Sequence, residues 1–408
     1  MSRLKIIKAG LNSASPHKFK PIRTALGLAT CSLLGMSSAV RAADNGWEID
    51  SALLLYSETD RVQVAEPVVS AVKELHDAEF LRLRFVIDSL TGPSPSGAIP
   101  TATAQTFTSP SGAAVYAIKP YVVPLDPTFH DTRAALNIEW EKPMNYTLKR
   151  LLSTNISREF DYTSMGVGAM YSKDIHQRNT TLAGGLSLGL DLVSPVGGIP
   201  VGMTSVPLTT ATKKTRDAAD DTKTLAELLL GVTQVIDRKT LMQFNYTLGS
   251  NTGYLTDPYK ILSVVDASSV LLTGNDRYRF EKRPDARVSH ALYWKAVHQF
   301  GSDVINASYR FFWDDWGINS HTLDLRYRLE FAAKNFLQPR LRYYRQSKAD
   351  FYHYKLVDSA MPTLASADYR LADMSSITFG LLYGLDLGAG HDFTLRAELI
   401  KQSAQGSD

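Results

Sequence analysis

Two short stretches carry residue types that do chemistry in other proteins. Gly185-Leu186-Ser187-Leu188-Gly189 fits the spacing of a nucleophile elbow, in which a sharp strand-to-helix turn exposes the serine hydroxyl. Here the serine stands inside an alternating run: Leu182, Leu186, Leu188, Leu190 and Leu192 against Gly185, Ser187, Gly189 and Asp191. That pattern belongs to a continuous strand with small residues on one face, not to a turn. A hydrolase would also need a base and an acid converging on the serine, and no Ser–His pairing is legible. Asp314-Asp315-Trp316-Gly317 sets two carboxylates beside a turn-forming glycine, with His321 and Asp324 close behind. Adjacent carboxylates can hold a hard cation such as calcium. Asp and Gly equally favour a tight turn, and a turn is the expected role. No metal centre is expected, with Asp314 and Asp315 as the candidates if one exists.

Other chemistries are excluded by residue type. The nine histidines form no HxH or HExxH array, and no phosphate loop or dinucleotide fingerprint occurs. Cys31 is the only cysteine, which rules out a disulfide scaffold and a multi-cysteine zinc or iron–sulfur site. No cofactor and no enzymatic activity are expected. The formal charge of +3 conceals an asymmetry: residues 1–42 hold seven Lys or Arg and no carboxylate, leaving 37 basic against 41 acidic groups in the remainder. A nucleic-acid partner is therefore not expected. The basic stretch Met1 to Arg23, the apolar stretch Ala25 to Met36 and the small residues Val40 and Ala42 read as a signal peptide over 1–42, cleaved before Ala43.

The elements that must position everything else follow from a period of two. Leu81, Leu83, Phe85 and Ile87 alternate with Arg82, Arg84 and Asp88. Leu323, Leu325, Tyr327 and Leu329 alternate with Asp324, Arg326, Arg328 and Glu330. Successive strand residues point to opposite faces, so each segment has one oily and one ionic face. These segments outrun the roughly five or six residues of an ordinary strand and suit the about 9–11 that a tilted strand needs to cross a bilayer. Trp47, Trp140, Trp294, Tyr343 and Tyr383 recur near segment ends, as aromatic girdles do in membrane barrels.

Strands are expected near 47–57, 61–74, 78–89, 129–142, 146–157, 160–173, 178–193, 223–236, 239–249, 288–299, 303–313, 319–331, 335–347, 373–387 and 391–401. The long connections, near 90–128, 194–222, 250–287 and 348–372, all follow odd-numbered strands and so emerge on one side, expected to be extracellular. The fold expected over 43–408 is an all-β, transmembrane, up-and-down antiparallel barrel. Bacterial single-chain barrels close with an even number of strands, so about 16 are expected, the last beyond residue 408. Charge on a lipid face costs about 2–4 kcal/mol at mid-bilayer. Arg82, Arg84, Glu139, Asp324, Arg326, Arg328, Glu330, Arg340, Arg342, Arg396 and Glu398 must therefore face a lumen, as cross-braces, as a filter for anionic or zwitterionic solutes, or as both. The uncharged stretch 90–112 and the charged stretch 213–223 read first as solvated loops; folding inward over the pore or receiving a partner is the alternative.

Several segments resemble an outer-membrane barrel family catalogued as domain of unknown function 3570. They include Asp88 to Ala98, Phe129-His130-Asp131-Thr132-Arg133, Glu159-Phe160-Asp161-Tyr162, Arg178-Asn179-Thr180, Gly253 to Lys260 with Asp257-Pro258, and Tyr309 to Thr322 with Asp314, Asp315, Trp316, Gly317 and His321. The resemblance runs from Trp47 to about Lys401. It implies an outer-membrane barrel of a Gram-negative bacterium, with no established activity. It also implies an association with envelope lipoproteins: a flavin-transferase-like protein, a thioredoxin-like protein and a small lipoprotein. The expected role is a passage or assembly component of an envelope export or redox system, in contact with outer-membrane lipid. The alternatives are a non-conducting scaffold for a periplasmic redox lipoprotein and a barrel-embedded hydrolase.

Overall fold

A computed structural model describes residues 46–57, 62–76, 78–92, 94–108, 115–207, 215–332, 335–388 and 391–405. The expected signal peptide and the expected sixteenth strand lie outside them. Fifteen long strands form a single sheet in chain order. They are β1 (Trp47–Ser57), β2 (Gln63–His76), β3 (Glu79–Thr91), β4 (His130–Pro143), β5 (Leu148–Arg158), β6 (Tyr162–Ile175), β7 (Thr180–Val193), β8 (Asp221–Asp237), β9 (Thr240–Gly253), β10 (Ala286–Phe300), β11 (Asp303–Asp314), β12 (Asn319–Ala332), β13 (Asn335–Gln346), β14 (Asp373–Gly388) and β15 (His391–Gln405). Each pairs antiparallel with its chain neighbour, the meander of an up-and-down membrane barrel; β1 and β15 are its two edges among the described residues. The only helical pieces among the described residues are three single 3-10 turns.

The register explains why alternation specifies this sheet. Between β6 and β7, Met165 faces Leu190, Val167 faces Leu188 and Ala169 faces Leu186, while Gly166 meets Gly189 and Gly168 meets Ser187 on the other side. The oily side is bare: Leu188 is 52% exposed, Phe379 56% and Leu399 67%. Burying one such side chain is worth about 1.5–3 kcal/mol, so a continuous belt of them is stable only against lipid. The ionic side carries the charges. Ser187 lies mid-strand within this register, so the chain has no elbow there.

The two ends of the sheet differ. One end has tight turns, such as those after Pro143, Ile175 and Phe300. At the other end the described residues of the four long connections, 92–129, 194–220, 254–285 and 347–372, fold into a cap. A hairpin pairs Gln105–Thr108 with Val115–Ile118. A small sheet joins Tyr278–Phe280, Ile261–Val265 and, in parallel, Leu356–Val357. Ala98, Phe107, Tyr116, Ile261, Tyr278 and Phe280 make one apolar cluster; Leu262, Val264, Leu356, Ala365 and Ala367 make another. The solvated-loop expectation for 90–112 is therefore corrected: Gln105 is 1% exposed and donates to the Ile99 carbonyl at 3.0 Å. Gly97, at φ +97°, lies so close to the Ile261 carbonyl that a Cβ would collide with it. Lys213 and Lys214 lie outside the described residues, and in 215–223 the outcome is mixed. Arg216 is half-buried and donates to the Val196 and Gly198 carbonyls, whereas Asp217 to Asp221 are exposed. Because the connections of separate hairpins along the meander pack together, the cap lies across this end of the sheet.

Candidate functional site

The β11–β12 turn is the most sharply built local element. Asp314 accepts the backbone N–H groups of Trp316 at 3.1 Å and Ile318 at 2.9 Å, an Asx-type closure. Its other oxygen accepts Arg287 Nε at 2.8 Å. Gly317 sits at φ +83°, where an added Cβ would strike the Asp350 carboxylate. Asp315 accepts the Val288 N–H at 3.0 Å. Trp316 is 5% exposed, donates its indole N–H to the Ala286 carbonyl at 2.8 Å, and meets Phe351 edge-on at 5.0 Å. The Arg287 guanidinium lies 4.5 Å from the Trp316 ring centre.

This geometry gives Asp314 and Asp315 structural partners. Asp314 is engaged by Arg287 and by the turn, and His321 points away from it. In register, Phe311 and His321 oppose each other on the oily face, whereas Ser308 and Asp324 oppose each other on the ionic face. His321 accepts or donates a 2.6 Å hydrogen bond with the Tyr309 hydroxyl and stacks on Phe311 at 4.9 Å. Among the described residues no group of three His, Cys, Asp or Glu is placed to hold an ion.

The ionic face gathers the expected lumen residues. Arg340 bridges Asp324 and Glu398, the latter at 3.0 Å, and Arg326 reaches Asp324 at 2.8 Å. Arg328 pairs with Glu330 and covers the Phe336 ring at 3.6 Å. Arg82 pairs with Glu141 at 2.9 Å rather than with Glu139, although Glu139 is its cross-strand neighbour. Among the described residues Arg84, Arg342 and Arg396 have no carboxylate within 4 Å. The face is therefore both braced and charged.

Beneath the cap lies a cavity of about 600 Å³. Residues of the family-like segments line it, among them Asp131 at the start of β4, Asp161 in the β5–β6 turn, Tyr162 at the start of β6, Asp257 and Pro258 in the 254–285 connection, and Trp316. Arg133 lies next to them and donates Nε to Asp88 at 2.7 Å. Asn179 and Thr180 are not brought here. They close the β6–β7 turn at the opposite end, where the Asn179 carbonyl accepts Val235 N–H at 2.8 Å and Thr180 donates to Gln234 at 2.7 Å.

Sequence reasoning missed the residues that complete the wall. Tyr259 donates to Asp161, Lys223 donates to Tyr162 at 2.7 Å and pairs with Asp191 at 2.9 Å, and Tyr162 donates to Asp191. Arg283 is sandwiched between Glu281 at 2.7 Å and Asp368 at 2.9 Å; Arg370 pairs with Asp368 and reaches Asp257 at 3.5 Å. Glu281 is fully buried and Asp368 1% exposed. Burial opposes ionisation of Asp368, yet the Arg370 and Arg283 guanidiniums hold it down at about 2. Burial, reinforced by the Asp131 and Asp161 carboxylates, pushes Glu159 up to about 7. Glu159 and Tyr259 lie in the family-like segments, so their neighbourhood was visible; Lys223, Arg283 and Arg370 carried no sequence signal.

Comparisons with known proteins fit this geometry at the level of the family. No curated protein matches the sequence. Among solved structures, the ferric-catecholate import receptor Fiu of Escherichia coli K12 in its open form is similar at 9% identity and a TM-score of 0.43, over 90% of this chain and 65% of that one. A mutant of the ferric enterobactin receptor PfeA of Pseudomonas aeruginosa gives 9% and 0.48, over 87% and 53%. The iron transporter FrpB of Neisseria meningitidis gives 9% and 0.44, over 90% and 72%. The chain thus spans about half to two thirds of the length of the first two. The profile of a family described as a protein of unknown function, DUF3570, matches residues 23–407, which covers every strand and every segment of the cap: the chain belongs to the DUF3570 family.

Proposed function

We propose that this protein is a barrel of the Gram-negative outer membrane that serves as a gated passage in an envelope export or redox system. The observation that carries this reading is the folded cap across one end of a lipid-facing meander whose other face is ionic. A lumen with arginines free of carboxylate partners favours anionic or zwitterionic solutes along the wall. A passage of this kind is opened by moving the cap, and the lock is the Glu281–Arg283–Asp368 sandwich. Envelope lipoproteins of the flavin-transferase-like and thioredoxin-like kinds, with a small lipoprotein, are the proposed partners.

Planar-bilayer recording tests the passage directly. The mature chain should conduct rarely, and Arg283→Met should raise the open probability. The packing of the cap favours one second reading, a non-conducting scaffold for a periplasmic redox lipoprotein. Silence of both proteins in the bilayer would overturn the passage and favour the scaffold. Co-purification from detergent extracts tests the partners.

A further inference from the structure

The charges around the capped cavity do not balance. Each cation on its wall is already matched: Arg283 by Glu281 and Asp368, Arg287 by Asp314, Lys223 by Asp191, and Arg370 by Asp368 and Asp257. Four carboxylates on the same wall, Asp126, Asp131, Glu159 and Asp161, have no Lys, Arg or His within 4 Å among the described residues. Asp131 accepts its neighbour Thr132 N–H and shares a proton with the Glu159 carboxyl, and Asp161 accepts a neutral phenol.

Two orphaned polar atoms at the wall point to a missing partner. Asp126 is 2% exposed; one oxygen accepts the Thr128 N–H and hydroxyl at 2.8 and 2.7 Å, and the other has no partner among the described residues. The Tyr254 hydroxyl is buried and equally without one. An unmatched buried oxygen is destabilising, and a bound donor would remove that cost. The carboxylates come from three separate elements, and no three of them are placed to coordinate a metal ion. Phe129, Tyr162 and Trp316 line the same cavity, and Lys223 and Arg287 already lie over the Tyr162 and Trp316 rings.

We propose that the cavity binds an organic cation carrying more than one primary ammonium group, with Asp126, Asp131, Glu159 and Asp161 as its ligands. Each ammonium supplies three donors to the carboxylate oxygens, Glu159 giving up its proton when the ligand binds. The inference needs only the fold and the cavity. Binding without conductance would leave it standing while the passage fails.

Spermidine titrated calorimetrically into the mature chain in detergent micelles at low salt tests it. Saturable binding is expected, weakened about tenfold or more in Asp126→Asn and in the pair Asp131→Asn with Glu159→Gln, because each loses a charge-assisted hydrogen bond. Asp276→Asn, a cap-surface carboxylate paired with Arg279, should bind as the unmodified chain does. Should a cavity variant lose heat-modifiable gel mobility, competition on the unmodified chain decides: putrescine should displace spermidine and equimolar calcium should not. Absence of heat at millimolar spermidine, undiminished binding by the folded variants, or displacement by calcium would each overturn the proposal.

Discussion

The cap and the wall are made of the same chain and solve opposite problems. The largest fully buried side chains among the described residues, Tyr278, Leu262, Leu356, Gln105 and Glu281 leading them, all belong to the cap. In the wall the apolar residues are the exposed ones, Leu186, Leu188, Phe379 and Leu399 among them. The wall hides its backbone polar groups in a ladder and lets lipid take the place of a core. The cap has no lipid to lean on and must pack as a water-soluble protein does, with apolar clusters and paired buried charges. The site lies where the two regimes meet, bounded by the first residues of strands below and by cap loops above.

Perturbations should separate the two regions. The largest effect is expected from Arg283→Met, which strands Glu281 and Asp368 without a counter-charge and should cost the cap about 3–5 kcal/mol. Limited proteolysis should then cut within 254–285 and 347–372 while heat-modifiable mobility persists; loss of that mobility would break the distinction. Next, Leu188→Arg at mid-height on the oily face should cost the wall about 2–4 kcal/mol, read by urea titration in lipid vesicles. The cap's protease resistance should survive that change wherever the barrel still forms. A smaller effect, about 1 kcal/mol, is expected from Asp324→Asn, since its partners Arg326 and Arg340 are partly solvated. A lower melting temperature in detergent with unchanged cap proteolysis would confirm the assignment.

A further effect concerns pH. Between the ordinary value of 4.5 and about 7, the unfolded chain has ionised Glu159 while the folded chain still holds its proton. The folded state then binds more protons, so stability falls as pH rises through that window. Glu159→Gln should flatten the profile there and leave it unchanged below 4.5. Parallel profiles for the two proteins would refute this account of the site.

Reading the wall from the sequence needed only the period of two, and all fifteen expected strands stand within a few residues of their predicted bounds. The same parity places His321 on the oily face; proximity in sequence to Asp314 obscured it. The turn role of Asp314 was legible because its hydrogen bonds are local. The cap was not legible. Its strands are two to five residues long, too short to show a period, and its composition of Pro, Ser, Gly and Thr is that of open loops. What folds it is contact between distant segments, such as Lys260 with the Pro95 carbonyl, and no local pattern announces such contacts. The cavity inherits that difficulty. Asp131, Asp161, Tyr162, Asp257 and Trp316 were singled out by resemblance, but Arg283 and Arg370 acquire their meaning only from Glu281 and Asp368.

The bond from the Tyr278 hydroxyl to Gln105 joins residues 173 positions apart. Neighbouring ribbons can zip as each hairpin emerges, whereas this tie has to wait for half the molecule to arrive. Contacts of such separation are slow to form, so the lid is expected to set after the hairpins beneath it. Its closure is in effect a seal of inspection: a polypeptide whose ribbons had slipped by a register would present an unfinished roof, and any surveillance protease would find its cleavage points there first.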